Sequence, residues 1–117
     1  MFDRFDKFTS YIFDISRSWH KIASSAMEQY GLNGPFAFYI TTMCRFPEGI
    51  TSVKLAQLCS RDKADVSRAV SLLEKKGLIV KKIINQNNYR APLVLTENGK
   101  KLADAINKKV KSAVEKG

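Results

Sequence analysis

Histidine, cysteine and glycine-rich loops are scarce in this 117-residue chain, which leaves little material for a catalytic or metal site. Cys44 and Cys59 are its two cysteines, and their separation matches neither a Cys-X-X-Cys pair nor a zinc-ligand spacing. His20 is the single histidine, and no glycine-rich phosphate-binding loop occurs. We therefore expect no enzyme activity, no metal and no cofactor. Both cysteines fall at apolar positions of the local pattern, which favours core thiols over a redox-sensing pair.

Long apolar runs and export signals are missing as well. No stretch is long enough to span a bilayer, so we expect no association with a membrane. The N-terminus from Met1 to Asp6 is too acidic and too interrupted for a signal peptide, which predicts a cytoplasmic protein. The length predicts one domain, residues 1–117, and an apolar content of 44% is enough for a hydrophobic core.

Positive charge is abundant and unevenly distributed. The formal net charge is +9, of which residues 1–50 contribute nothing, residues 51–90 contribute +6 and residues 91–117 contribute +3. A basic patch confined to one part of a chain suits a polyanion, most often a nucleic acid. The alternative is a basic surface that serves only solubility.

The centre of this basic segment, residues 62–78, has the pattern of one amphipathic helix. Asp62 is a suitable N-cap, and Gly77 stands at the C′ position where helices often end. The apolar face consists of Val66, Ala69, Val70 and Leu73. The opposite face consists of Lys63, Ala64, Ser67, Arg68 and Ser71. A face this small, polar and basic can approach a phosphate backbone and reach base edges.

The elements around this helix predict a winged helix-turn-helix. A helix that starts near Pro35 precedes a short one from about Ser52, which can cap it, to Cys59. Only about three residues separate Cys59 from the helix of residues 62–76, so the two helices form a helix-turn-helix. Beta-formers over residues 78–84, a polar turn over 85–88 and a return strand over 89–95 then form a hairpin. Pro92 marks the return strand as an edge strand.

Long helices are predicted at both ends of the chain. Residues 2–30 carry a seam of apolar residues at alternating spacings of three and four. The seam consists of Phe5, Phe8, Ile12, Ile15, Trp19, Ile22 and Ala26. The last helix opens at the N-cap Thr96, and its apolar stripe consists of Leu102, Ala105, Ile106, Val110 and Ala113 or Val114. The first helix has more apolar surface than one small domain needs, which favours burial against a partner chain over wrapping by its own domain.

These blocks resemble the MarR family of bacterial transcription regulators. The resemblance rests on the segments Leu55–Leu58, Asp62–Val70, Leu73–Ile79 and Leu95–Ala103. Their order, with Leu-Thr-Glu-Asn-Gly closing the wing, is more specific than any one of them. The resemblance implies a mainly α fold with a small β-hairpin (α+β), a winged helix-turn-helix with long N- and C-terminal dimerisation helices. Those helices would be residues 1–30 and 96–117, the DNA-binding lobe residues 50–95 and the wing about residues 79–95.

The resemblance also implies a homodimer that binds a pseudo-palindromic site in double-stranded DNA. Together with the face of the central helix, it gives as candidate DNA-binding residues Ser52, Lys63, Ala64, Ser67, Arg68, Ser71, Gln86, Asn87, Asn88 and Arg90. Wings of this family often carry Asp-X-Arg near the tip, whereas this chain has Asn87-Asn88-Tyr89-Arg90. Arg90 is therefore the candidate for a minor-groove arginine, and its alternative role is to brace the hairpin.

A small aromatic effector is a further partner that the family resemblance implies. Its candidate cavity would be lined by Trp19, His20, Tyr30, Phe36 and Tyr39, which are equally suited to an ordinary core.

Winged helices also serve as protein-interaction modules without specific DNA binding, although such a module does not need the net charge of +6 that residues 51–90 carry. Single-stranded nucleic acid is disfavoured because Tyr89 is the only aromatic residue in that segment.

Overall fold

The computed structural model describes residues 4–83 and 91–116. In this part of the chain the elements are α1 (Arg4–Glu28), α2 (Phe36–Cys44), α3 (Ser52–Cys59), α4 (Lys63–Lys75), β1 (Ile79–Lys81), β2 (Leu93–Leu95) and α5 (Glu97–Lys116). The two strands form an antiparallel sheet in which Val80 faces Val94. The predicted fold class, mainly α with a small β-hairpin, is confirmed.

Helix α2 is the centre of the hydrophobic core. It packs against α1, α3, α5 and β2, which explains why its apolar residues occur on more than one side. Ile40 and Met43 are almost completely buried, and Thr42 is the buried polar residue among the described ones. Around α2 the largest fully buried side chains of the other elements are Met27, Leu55, Val66, Leu73, Leu78, Leu93 and Ile106. The core therefore joins the helices at both ends of the chain to the lobe of residues 50–95.

Side-chain caps fix where α3 and α4 begin. The Asp62 carboxylate accepts a hydrogen bond from the Asp65 amide at 2.8 Å, so the predicted N-cap of α4 is confirmed. The prediction that Ser52 caps α3 is wrong. Thr51 has the extended backbone of an N-cap, and its hydroxyl accepts a hydrogen bond from the Lys54 amide at 3.2 Å. Two adjacent hydroxyl residues offer the same cap chemistry, and the backbone conformation selects the first of them.

The sheet is wider than the predicted hairpin. Ile50 forms a bridge to Leu93 on the side of β2 that faces away from β1, with N···O distances of 3.0 and 2.7 Å. The prediction that Pro92 marks an edge strand is therefore wrong, because β2 is paired on both sides. Pro92 stands immediately before the strand and accepts a hydrogen bond from the Lys82 amide at 2.7 Å. Its missing N–H removes no bond from the ladder. Of the predicted return strand, residues 93–95 are strand, and residues 84–90 lie outside the described part.

Helix α5 is attached to the end of α4 through its N-cap. The Thr96 hydroxyl accepts from the Gly99 amide at 3.1 Å, as predicted, and donates to the Gly77 carbonyl at 2.6 Å. A Cβ at Gly99 would lie 2.1 Å from the Leu78 carbonyl oxygen, so only glycine lets the helix approach this closely. Leu102 and Ile106 are buried as predicted, whereas Ala105 is exposed. Ala103 takes its place in the core, because the face that starts at Gly99 continues through 102, 103 and 106.

Helix α1 begins outside the core and ends within it. Ala23, Ala26 and Met27, near its C-terminal end, are buried. Near its N-terminal end, Phe5 is 72% exposed and Phe8 is 60% exposed. Toward the N-terminus, the predicted apolar seam therefore extends beyond the hydrophobic core of the chain. No helix among the described residues has both the length and the apolar character needed to cross a bilayer.

Candidate nucleic-acid interface

Helix α4 presents the predicted polar face to solvent. Val66, Ala69, Val70 and Leu73 are buried against the core, as their spacing predicts. On the opposite side, all five predicted residues are exposed, namely Lys63, Ala64, Ser67, Arg68 and Ser71. The sequence pattern therefore predicted the orientation of the helix correctly.

The outer surface of α4 is shallow and bordered by hydrogen-bonding groups. Ser67, Arg68, Ser71 and Lys75, together with the apolar Leu72, surround a depression of about 370 Å³. Small hydroxyl side chains next to Arg68 leave space for a base pair or a phosphate to come close to the helix backbone. A guanidinium can pair with guanine O6 and N7, whereas the hydroxyls and the lysine suit phosphates or mixed contacts.

An ion pair joins Arg68 to Asp65 on the same helix. Nη2 of Arg68 donates a hydrogen bond to Oδ1 of Asp65. The side chain of Arg68 remains 73% exposed and that of Asp65 is 44% exposed. Asp65 is not among the residues predicted for the site, although an acid and an arginine three residues apart on a helix can form such a pair. The candidate site therefore contains a carboxylate directly beside its central cation.

The turn between α3 and α4 places the two helices against each other. Ser60 ends α3 in the left-handed conformation with a φ of 52°, and the Arg61 amide donates to the Ala56 carbonyl. Leu55 of α3 is fully buried, and α3 packs on α4. Ser52 lies exposed in the first turn of α3, where backbone amides without helical partners attract anions. Ser52 thus remains a candidate phosphate contact, although it is not the cap.

Two lysines at the base of the wing extend the basic surface. Lys81 and Lys82 are exposed, and Lys82 is the residue whose amide bonds to Pro92. The predicted wing residues Gln86, Asn87, Asn88 and Arg90 lie outside the described residues. Their roles at a DNA groove remain predictions from the sequence.

The predicted effector residues are only partly brought together. Trp19, His20 and Tyr39 line one pocket of about 230 Å³, which Phe38, Pro35, Cys59 and Arg61 complete. Phe36 and Tyr39 line a second pocket of about 450 Å³, which also contains Arg61, Asp65 and Arg68. The two pockets share Pro35, Tyr39 and Arg61. Tyr30 lines neither of them and packs against the hydrophobic core. The prediction of one cavity lined by all five residues is therefore wrong, because Phe36 lies in a different pocket from Trp19 and His20, and Tyr30 follows the end of α1 and lines neither pocket.

Arg61 gives the pair of pockets a positive charge. Burial raises the pKa of the Tyr39 phenol above its ordinary value, and the nearby Arg61 only partly opposes this shift. The phenol therefore stays protonated and can donate a hydrogen bond. Burial likewise raises the pKa of the Cys59 thiol, which also contacts the Thr42 hydroxyl. Arg61 is not among the predicted pocket residues, and its position in the turn of the helix-turn-helix is the sequence feature that could have indicated it. Among the described residues no cluster of histidine, cysteine or carboxylate side chains could hold a metal ion.

Comparison with known proteins gave matches among solved structures only. No protein-family model and no curated protein matches the chain. MepR of Staphylococcus aureus in complex with DNA superposes with a TM-score of 0.70 at 25% sequence identity, over 87% of this chain and 84% of MepR. CouR of Rhodococcus jostii RHA1, bound to p-coumaroyl-CoA, superposes with a TM-score of 0.68 at 20% identity, over 87% and 71% of the two chains.

A third structure carries the family name. Rv2887, a MarR family protein of Mycobacterium tuberculosis, superposes with a TM-score of 0.65 at 21% identity, over 90% of this chain and 74% of Rv2887. The superpositions cover most of each chain, so they compare whole folds and not an isolated helix-turn-helix. The chain has the winged-helix fold of the MarR-family regulators, which confirms the resemblance predicted from its sequence.

Proposed function

We propose that this chain is a transcription regulator that binds a pseudo-palindromic site in double-stranded DNA as a homodimer. The observation that carries the proposal is the outer face of α4, the second helix of a helix-turn-helix, where the five contact residues predicted on this helix are all exposed. In such proteins the second helix enters the major groove. MepR, a transcription regulator of a multidrug efflux pump, shares the fold and has been solved with DNA, which supports the same use of α4 here.

The residues of this face have different proposed roles. Arg68, in the middle of the exposed face, reads a guanine edge, since this is the commonest specific contact of an arginine. Lys63 in the first turn of α4 and Ser52 in the first turn of α3 contact phosphates, which fix the register of the protein on the duplex. Ser67 and Ser71 bond to either kind of group. Ala64 allows close approach because it has no side chain beyond Cβ.

The apolar surface of α1 supports the dimer. Besides Phe5 and Phe8, it exposes Ile12 at 49% and Phe13 at 66%, which is costly for a free protomer in water. The seam continues into a groove of about 310 Å³ between α1 and α5. The groove is lined by Tyr11, Asp14, Ile15, Ser18, Trp19, Ile22, Val110, Ala113 and Val114. We infer that a second copy of the chain covers this surface and so places two α4 helices on one face of the DNA.

A salt titration tests DNA binding. The logarithm of the binding constant for a labelled 30-base-pair duplex should fall linearly with the logarithm of salt concentration, with a slope of about −0.9 per phosphate neutralised. Lys63→Ala should reduce the slope by about one. Single-stranded DNA and RNA of the same length serve as competitors. No binding to duplex at low salt would contradict the proposal and leave a protein-interaction module as the alternative. Stronger binding to the single strands would also contradict it and would favour a single-stranded nucleic-acid binder instead.

We also propose that a small aromatic anion regulates the protein from the pockets beside Tyr39. Their walls combine the aromatic side chains of Trp19, Phe36 and Phe38 with the cation of Arg61. This combination suits an aromatic ring that carries a carboxylate. CouR, which shares the fold, has been solved with an aromatic thioester ligand. One of the two pockets extends to Arg68, so an occupant would affect the same side chain that reads DNA.

Calorimetry with simple aromatic carboxylates such as benzoate and cinnamate tests this regulation. Binding should weaken in Arg61→Ala, and the bound acid should reduce affinity for duplex DNA. Lys54→Ala, an exposed charge removed from α3, is the matched control and should bind the acid normally. Absence of any heat with millimolar acids would contradict the effector proposal while leaving DNA binding intact.

A further inference from the structure

Asp65 is not one of the DNA-binding residues predicted from the sequence, yet its carboxylate contacts the Arg68 guanidinium. Both residues belong to the exposed side of α4. Of the basic residues that the structure describes in the lobe, Arg68 is the one that forms an ion pair. An exposed ion pair between residues three apart contributes little to folding stability. Asp65 also lies in the first turn of α4, which is the end that approaches base edges in helix-turn-helix proteins. The pair is therefore better explained by what Arg68 does than by the stability of the helix.

We propose that Asp65 is a specificity-determining residue that positions Arg68 for a guanine and prevents it from neutralising a phosphate. This proposal rests on the proposed function, since it concerns how α4 reads DNA.

The chemistry of the guanidinium allows both contacts at once. Arginine has five N–H donors, and the contact with Asp65 uses a hydrogen of Nη2. The remaining donors suffice for the paired contact with guanine O6 and N7. A carboxylate that holds one side of the planar group fixes its rotamer, so less side-chain entropy is lost when the base is bound. Most of the Arg68 side chain is exposed, which leaves the group accessible to a base pair.

The negative charge of Asp65 favours the specific DNA site over other DNA sequences. If Arg68 moved onto a phosphate, the Asp65 carboxylate would remain unpaired beside the phosphates of the groove, where like charges repel. In a complex with the correct site the pair stays intact and its net charge is zero. Non-specific complexes are therefore disfavoured more than the specific complex, which is how a repulsive element creates specificity.

The test compares two duplexes of equal length, one selected by the unmodified protein from a random pool and one of scrambled sequence. Asp65→Asn should bind the scrambled duplex more tightly, with a salt slope steeper by about one, because Arg68 becomes free to neutralise a phosphate. The ratio of specific to scrambled affinity should fall about 3- to 10-fold. This is a part of the discrimination against wrong bases that one paired base contact supplies.

A double-mutant cycle separates positioning from a structural role. In the background of Arg68→Ala, Asp65→Asn should leave the affinity ratio unchanged, because there is no arginine to position. Asp104→Asn removes the same charge from an exposed position of α5 and should leave the ratio and the slope unchanged. A merely structural Asp65 would lower the melting temperature without changing the ratio, which would overturn the proposal.

The remaining outcomes distinguish this proposal from the proposed function. If the unmodified protein selects and binds a site but Asp65→Asn keeps its affinity ratio, Asp65 does not determine specificity and the DNA-binding function stands. If Asp65→Asn lowers the ratio equally with and without Arg68, Asp65 contacts a base itself and the positioning role is overturned. If the unmodified protein binds no duplex, the proposed function and this inference both fail.

Discussion

Arg68 is the side chain whose removal should affect recognition most. It lies in the middle of the exposed face of α4. Arg68→Ala should cost about 1–3 kcal/mol of specific binding free energy if the side chain reads a base. Fluorescence anisotropy with the selected duplex measures this loss. The melting temperature should change little, because an exposed ion pair contributes little to stability.

Lys63→Ala is the matched control for that substitution. Lys63 is a cation of the same face, but a phosphate contact weakens binding to all duplexes equally. Arg68→Ala should therefore lower the ratio of specific to scrambled affinity, whereas Lys63→Ala should weaken binding to both duplexes and leave this ratio unchanged. Equal ratios in Arg68→Ala and in the unmodified protein would remove Arg68 from the residues that read sequence.

The two cysteines should differ in reactivity. Burial raises the pKa of the Cys59 thiol, so less of it is thiolate at neutral pH than in an ordinary cysteine. In Cys44→Ser, where Cys59 is the only thiol, alkylation by iodoacetamide should be slow at pH 7 to 8. It should become fast only at a pH above the usual thiol range, or when guanidinium unfolds the chain.

Cys59→Ser is the complementary variant, since it leaves only the half-buried Cys44. Its thiol should react faster than Cys59 does in the folded protein. If Cys59 reacts in the native protein as fast as in denaturant, the thiol is not protected, and the redox-sensing alternative for these cysteines regains support.

At the scale of the elements, the joint between α4, β1 and α5 depends on a glycine. A methyl group at position 99 would meet the Leu78 carbonyl oxygen, which belongs to the backbone and cannot rotate away. Gly99→Ala should therefore lower the free energy of unfolding by about 1–3 kcal/mol, as overpacking commonly does. Chemical denaturation followed by circular dichroism measures the loss. Asn98→Ala, on the exposed side of the same turn, should change it by less than about 0.5 kcal/mol.

A Gly99→Ala protein as stable as Asn98→Ala would mean that α5 does not approach β1 as closely as the structure indicates.

The contact at Gly99 also explains part of the family resemblance. In the segment Leu95-Thr96-Glu97-Asn98-Gly99, the threonine caps the helix and the glycine permits the contact. This physical reason for the motif was not available from the sequence.

The elements differ in how well their sequences predicted them. Asp62, the apolar spacing of α4 and Gly77 all indicate the same helix, so its bounds and its orientation were predicted correctly. The partners of a strand are not contained in its own sequence, so the bridge from Ile50 to Leu93 was missed and Pro92 was misread. Ala105 was misplaced because alanine fits either side of a helix, and tertiary packing decides between them.

The candidate site, like the elements, was predicted correctly where helical spacing decides and incorrectly where spatial neighbours decide. The exposed residues of α4 follow from helical periodicity, and all of them lie where the pattern placed them. Arg61 and Asp65 were missed because their importance comes from neighbours in space, a pocket in one case and Arg68 in the other. Tyr30 was included because its residue type suited an aromatic cavity, but residue type does not indicate direction.

At the scale of the whole molecule, the proposed dimer depends on the apolar seam of α1. The exposed apolar residues of this helix form one side of the proposed dimer interface, so a charge placed there should separate the protomers. Ile12→Glu should sediment as a monomer at micromolar concentration, whereas the unmodified protein should have twice the chain mass. Ser10→Glu puts the same charge on the opposite side of α1 and should remain dimeric.

The monomer should also bind DNA less tightly, because two linked half-sites bind with a higher effective concentration than one. If Ile12→Glu is still a dimer, the interface lies elsewhere on the molecule. If the unmodified protein is itself a monomer, α1 has another partner and the homodimer is ruled out.

Selection of bound duplexes from a random pool, at a fixed salt concentration near 150 mM, tests the central claim most directly. A dimer that inserts one α4 helix per half-site should enrich an inverted repeat whose half-sites are centred about 10 base pairs, roughly 34 Å, apart. The enriched half-sites should contain a guanine whose importance disappears in Arg68→Ala. A pool that stays random after repeated rounds, or one that enriches an unrepeated motif, would contradict the account.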